Sequence, residues 1–127
     1  MKMKELFDRG EFVVSAEVGP PKGIHVDELV EEAKTYLKGV HAVNVTDNQS
    51  SVMRLGSLAM CKVLKDAGMD PIFQLACRDR NRIALESDLL SAAMLGIENI
   101  LCLTGDHTKM GDHPQAKPVF DLDSVSL

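Results

Sequence analysis

Apolar and polar positions alternate along this chain in two different rhythms. Short apolar runs over residues 12–18, 42–46, 71–77 and 99–103 predict four strands. Between them apolar residues return at helical spacing. Val26, Leu29, Val30, Ala33 and Leu37 predict a helix over 25–38, and Leu55, Leu58, Ala59, Val63 and Leu64 predict one over 54–67. A third helix is predicted over 81–95. Gly39, Gly68 and Gly96 follow the three helices as stop signals. Strands that alternate with helices imply a parallel sheet with right-handed crossovers. The unit recurs about every 28 residues, a spacing shared by (βα) barrels and doubly wound folds. A polar loop over 105–117 follows the last strand, and Asp121-Leu-Asp123-Ser124 reads as the cap and first turn of another helix. A chain that stops one turn into a helix reads as a piece of a longer one.

Within the strands the polar residues are not scattered. Strand side chains alternate between faces. Ser15 and Glu17 oppose Val14, Ala16 and Val18, and Asn44, Thr46 and Asn48 oppose Val43 and Val45. Gln74 sits with Ile72 and Ala76, opposite Phe73, Leu75 and Cys77. In the fourth run Cys102, Thr104 and Asp106 are read as the polar face and Leu101 and Leu103 as the apolar one. Each strand therefore has an apolar face for helices and a second face that turns polar toward its C-terminal end. In parallel α/β barrels ligands bind at that end. On this reading Ser15, Glu17, Thr46, Gln74, Thr104 and Asp106 converge on one site.

The first strand shows the logic most sharply. It runs from Phe12-Val-Val14 into Glu17 and breaks at Gly19-Pro20-Pro21. A carboxylate half-buried at a strand mouth can have a raised pKa and act as an acid near neutral pH. The two prolines hold the turn that directs it. The alternative is that Glu17 pairs with Arg78 or another cation.

Composition narrows the function classes. The chain has 127 residues, 45% hydrophobic and only 4% aromatic, which is enough for one domain with a core. A net charge of −5 argues against a nucleic-acid surface. No apolar run approaches a membrane span, and the N-terminal residues contain no secretory h-region. Cys61, Cys77 and Cys102 lack CxxC spacing and read as reduced, cytoplasmic thiols. Asn44-Val-Thr46 and Asn48-Gln-Ser50 match the glycosylation pattern, which without a secretory signal is read as chance. Met53, Met60, Met69 and Met94 read as core filler.

Other polar clusters admit two readings each. Residues 47–51 form either a binding loop or a helix lead-in. Arg78, in the charged run 78–82, either reaches a phosphate or belongs to a solvated loop. Gly105 allows a ligand to approach the backbone beside Asp106. Asp106, His107, Asp112 and His113 match no metal-ligand spacing, and no metal is expected. No dinucleotide fingerprint, phosphate loop or nucleophile elbow is present.

Four stretches together resemble a known family: SAEVGPPKG, VNVTDNQ, CRDRNR and LTGDHTKMGDHPQAKPVFDLDSV. In order and spacing they are similar to methylenetetrahydrofolate reductase over nearly the whole chain. The resemblance implies a flavin-containing (β/α)8 TIM barrel. It implies transfer of hydride from NADH or NADPH to flavin, and then to 5,10-methylenetetrahydrofolate, giving 5-methyltetrahydrofolate. FAD is expected rather than FMN. By the same resemblance Glu17 matches the general acid and Thr46 a flavin-contacting threonine. Asp106 matches the aspartate beside flavin and folate, and Leu103, Thr104 and Gly105 match the backbone that lines the flavin. The chain departs from the family pattern in three places. Val18-Gly19 stands for an aromatic pair, Gln74 for a flavin-contacting histidine, and Thr104 for an arginine.

Residues 1–127 correspond to about the first four βα units of such a barrel. The expectation is an N-terminal half that supplies part of the site and is inactive alone. It is expected to act as a homo-oligomer, with a second redox subunit as a further partner. The competing reading is a non-catalytic half-barrel that dimerises or binds a ligand without turnover.

Overall fold

The computed structural model describes residues 1–127. Strands β1 (Ser15–Val18), β2 (Ala42–Val45), β3 (Pro71–Ala76) and β4 (Asn99–Leu103) form one parallel sheet in the order β1-β2-β3-β4. Helix α1 (Met3–Asp8) precedes the sheet, and α2 (Asp27–Tyr36), α3 (Ser57–Asp66) and α4 (Arg82–Met94) connect its strands. No helix is long and apolar enough to cross a membrane.

The core lies on one face of the sheet. Val43, Val45, Phe73 and Leu75 pack with Val30 and Ala33 of α2, with Met60, Cys61 and Leu64 of α3, and with Leu85 and Ala92 of α4. These sheet residues share one parity, so period-2 strands and period-3.6 helices bury a single common surface. Asn81 caps α4, its Oδ1 accepting from Ala84 N at 3.1 Å.

Several expectations from the sequence change. β1 begins at Ser15, and Phe12 is 88% exposed. β2 starts only at Ala42, so the residues before Ser15 have little to pair with. Val14 makes the last contact, donating to His41 Nδ1 and accepting from His41 N. α3 begins at Ser57, not residue 54, because a 3-10 turn (Gln49–Ser51) and an extended stretch intervene. α1 was not expected from the sequence. It buries only Leu6, too little to leave a periodic signal. Met60 is fully buried, but Met53 and Met94 are exposed.

The face assignment of β4 is also corrected. Leu101 lies beside Gln74, Leu103 beside Ala76, and Cys102 beside Leu75. Register partners in a parallel pair share a face, so Leu101 and Leu103 are on the polar face and Cys102 is on the helix side. β4 is an edge strand with apolar residues on both faces, so its own pattern carries no parity signal.

The C-terminal turn is held from both ends. Asp123 Oδ1 accepts from Val125 N and Ser126 N, as a helix cap would, and Leu127 N donates to Asp123 O. Asp121 accepts from Arg82 Nε at 2.8 Å, Nη2 at 3.1 Å and backbone N at 3.0 Å. The Arg82 guanidinium and its N–H hold the Asp121 carboxyl at about 2. A depressed carboxylate stabilises the fold above its unfolded pKa of about 4, and that contribution is lost as pH falls through the folded value. Arg82→Ala is expected to return Asp121 to the ordinary carboxylate range in an NMR titration. An unchanged titration would show that the pair does not form in solution.

Candidate active site at the C-terminal ends of the strands

The polar face of the sheet opens into a cavity of about 240 Å³ at the strand C-termini. Glu17, Thr46, Gln74, Leu103, Gly105 and Asp106 all line it. Four of the six residues expected to converge therefore do so. Ser15 shares the face but lies one step lower, where its Oγ accepts from Asn44 Nδ2 at 3.4 Å. The Thr104 side chain points away: its Oγ1 donates to Ser124 Oγ and accepts from Ser124 N. Thr104 does not line the cavity, although its neighbours Leu103 and Gly105 do.

Each element contributes for a local reason. Glu17 is the penultimate residue of β1, in register with Asn44. It is exposed, not half-buried, and no ion pair engages it, since Arg78 and Arg80 are bound to aspartates elsewhere. Thr46 is only 3% exposed, and its backbone N donates to Val18 O at 3.3 Å. Its Oγ1 is buried with no hydrogen-bond partner in the protein. A buried hydroxyl left unpaired costs about 1–3 kcal/mol. Gly105 has φ +93°, and a Cβ there would lie 3.1 Å from Arg78 Cβ and 3.2 Å from Ala76 Cβ. A side chain there would crowd both neighbours, and the left-handed conformation favours glycine as well.

The floor of the site is a charged clamp that the sequence did not reveal. Arg78 is 2% exposed. Its Nε and Nη2 donate to the Asp79 carboxylate at 2.9 and 2.8 Å. Nη1 donates to Asp106 O at 3.2 Å, and Nη2 to Asn48 O at 3.2 Å and Asp47 O at 3.5 Å. One guanidinium therefore ties together the loops that follow β2, β3 and β4. It is committed to the protein and is neither a phosphate anchor nor part of a solvated loop. Burial alone would raise the Asp79 carboxyl, but the Arg78 contact outweighs it and holds the group below the usual range.

Asp47 is the second buried charge. Its Oδ2 accepts from Ala76 N at 2.9 Å and from Arg80 Nη1 at 2.8 Å, and Arg80 Nε also reaches Asp88. Burial works against the Arg80 charge, but the aspartates around it prevail and its pKa is raised. The loop after Asp47 is strained, with positive φ at Asn48 (46°), Ser50 (56°) and Ser51 (58°). Such backbone persists where surroundings over-determine it, commonly at functional sites. Here Gly111 presses on it so closely that a Cβ would sit 1.7 Å from Ser51 O. The five polar residues 47–51 held this signal, but their sequence alone does not separate it from a helix lead-in.

The histidine loop gathers no metal site. No three His, Cys, Asp or Glu side chains come together to hold an ion. Asp112 accepts from Met53 N, Lys22 Nζ and His113, contacts that hold its pKa far below the usual range. It thereby joins the loops after β1, β2 and β4.

The family model of methylenetetrahydrofolate reductase matches residues 2–126 of the chain. No curated protein matches it.

Proposed function

The chain belongs to the methylenetetrahydrofolate reductase family, and on that premise we propose that it forms part of a flavin-dependent reductase acting on 5,10-methylenetetrahydrofolate. The family points to folate-linked one-carbon reduction. The observation that carries the flavin reading is Thr46, whose buried hydroxyl lacks a partner inside the cavity. The backbone of Gly105, which lines the same cavity without a side chain of its own, supports the same group. Thr46, Gln74, Asp106 and the backbone of Leu103 and Gly105 would hold the flavin, read as FAD. When bound, the flavin supplies hydride acceptance from NADH or NADPH and hydride delivery to the folate.

The remaining chemistry belongs to the chain. Glu17 is the one cavity carboxylate on β1, free of any cation. We read it as the acid that gives a proton to the departing nitrogen of the folate's bridging ring. The bridge carbon is left as an iminium on the other nitrogen and becomes the methyl group on gaining hydride. Asp106, also without a side-chain partner, lines the same cavity and would accept from the N–H groups of a ring held there. Residues 1–127 are read as the first four βα units of a (β/α)8 barrel. The sequential strand order, the helices on one face and the free edges of β1 and β4 support this.

The direct test is spectroscopic. In protein in which the barrel is whole, flavin is expected to bind, reduced nicotinamide to bleach it, and 5,10-methylenetetrahydrofolate to restore its colour, while residues 1–127 alone are expected to show no turnover. Bleaching with no recovery on folate would reject the substrate; no bound flavin would reject the cofactor.

Thr46→Val separates ligand binding from structure. The substitution removes an unpaired hydroxyl, so the ligand-free protein is expected to be equally or more stable in thermal unfolding, by up to about 1–3 kcal/mol. Flavin affinity is expected to fall about tenfold by fluorescence titration, the worth of one hydrogen bond. Lower ligand-free stability with unchanged affinity would make the hydroxyl structural.

A further inference from the structure

A row of amides crosses the polar face of the sheet below the cavity, and its direction is fixed by chemistry. Asn44 Nδ2 lies 3.4 Å from Ala16 O and 3.4 Å from Ser15 Oγ. A backbone carbonyl only accepts, so the Asn44 amide nitrogen must face β1. Its Oδ1 therefore faces β3, where it meets Gln74 Nε2 at 3.3 Å. The Gln74 carbonyl oxygen is then turned away from Asn44 and has no partner in the protein, while the residue lines the cavity. On the strands around it the uncommitted groups are the carboxylates of Glu17 and Asp106 and the Thr46 hydroxyl, while Gln49 and Ser50 line the cavity from the loop after β2. The one cation that lines the cavity, Arg78, commits its donors to Asp79 and to loop carbonyls.

We propose that Asn44 is a positioning residue that sets the polarity of Gln74, so that the site accepts the N–H edge of a flat heterocycle. Resting on the flavin reading above, the proposal makes that edge the ring's own N–H. Oxidised isoalloxazine has a single N–H, at N3, flanked by two carbonyls. Were the Gln74 amide reversed, it would meet that edge with another donor. The row thus does for a neutral amide what a neighbouring carboxylate does for histidine, which is to choose which end faces the ligand.

The test uses riboflavin and 3-methylriboflavin, which differ in that one N–H, and reads binding to the purified protein by quenching of flavin fluorescence. The unaltered protein is expected to prefer riboflavin about tenfold, one hydrogen bond's worth. Asn44→Leu, similar in size but without polarity, frees Gln74 to turn and is expected to reduce the preference to less than about twofold. Asn44→Asp still accepts from Gln74 Nε2 and is expected to keep it, a rescue that a purely structural role would not show. If Asn44→Leu does not fold, Gln74→Leu removes the acceptor itself and is expected to lose the same preference. Equal binding of both flavins by the unaltered protein, or full preference in Asn44→Leu, would overturn the proposal. A second readout needs no ligand: NMR cross-relaxation should place the Gln74 amide protons against Asn44. Finding them against Glu17 would overturn this inference alone. Absence of quenching by either flavin would overturn the ligand assignment together with the proposed function.

Discussion

Glu17→Gln is expected to slow folate reduction by about 10²–10⁴-fold, the usual worth of a positioned general acid. Flavin reduction by reduced nicotinamide is expected to continue near the parent rate, because that half-reaction passes a hydride and needs no proton at the folate. The substitution is conservative in the fold. Glu17 is exposed and is part of no ion pair, so an amide of the same shape strands no buried cation. What changes is the ability to release a proton. Stopped-flow absorbance of the flavin, in protein in which the barrel is whole, follows the two half-reactions separately. Equal slowing of both would make Glu17 a structural support of the cavity. Unchanged rates in both would move the acid elsewhere and leave the β1 carboxylate without a task.

Arg78→Met is expected to cost at least about 1–3 kcal/mol of stability, the range for leaving buried acceptors without their donor. Methionine fills much of the space but leaves Asp79 and the carbonyls of Asn48 and Asp106 without the donors they now share. For a domain of this size the loss corresponds to a fall in Tm of roughly 3–15 °C. Urea unfolding measures it directly. Arg78→Lys retains the charge but not the planar fork that reaches several acceptors, so an intermediate loss is expected. Flavin affinity is expected to fall as well, since Asn48 and Asp106 both line the cavity. A cost below about 1 kcal/mol, the worth of a single ordinary hydrogen bond, would mean that the three loops hold themselves in place.

The alternation of strand and helix was legible because each element buries one regular stripe against the same core. Glu17, Thr46 and Gln74 were legible for a related reason: a polar residue at every second position stands out in an apolar strand. Asp106 reached the cavity, but not by the parity assigned to it. β4 has apolar side chains on both faces at Ile100, Leu101, Cys102 and Leu103, so only pairing with β3 decides which face is which. Beyond it, the left-handed turn at Gly105 breaks the alternation and brings Asp106 in. Arg78 was illegible for a different reason. A run of five charged or polar residues looks solvated, and nothing local shows that three loops aim their carbonyls at the first of them. The Asn44 row was hidden likewise, because the direction of an amide depends on atoms of two neighbouring strands.

The unpartnered hydroxyl of Thr46 has a consequence for how long the protein lasts. A ligand that satisfies it binds the folded chain and not the unfolded one, so occupancy lowers the fraction of molecules open at any moment. Proteases act on that open fraction, and a shift of only 1–2 kcal/mol can change abundance several-fold. In a cell short of such a ligand the empty protein is expected to be cleared faster than the filled one. Its level would then follow ligand supply with no dedicated sensor, by an amount set by how tightly the ligand binds the folded chain.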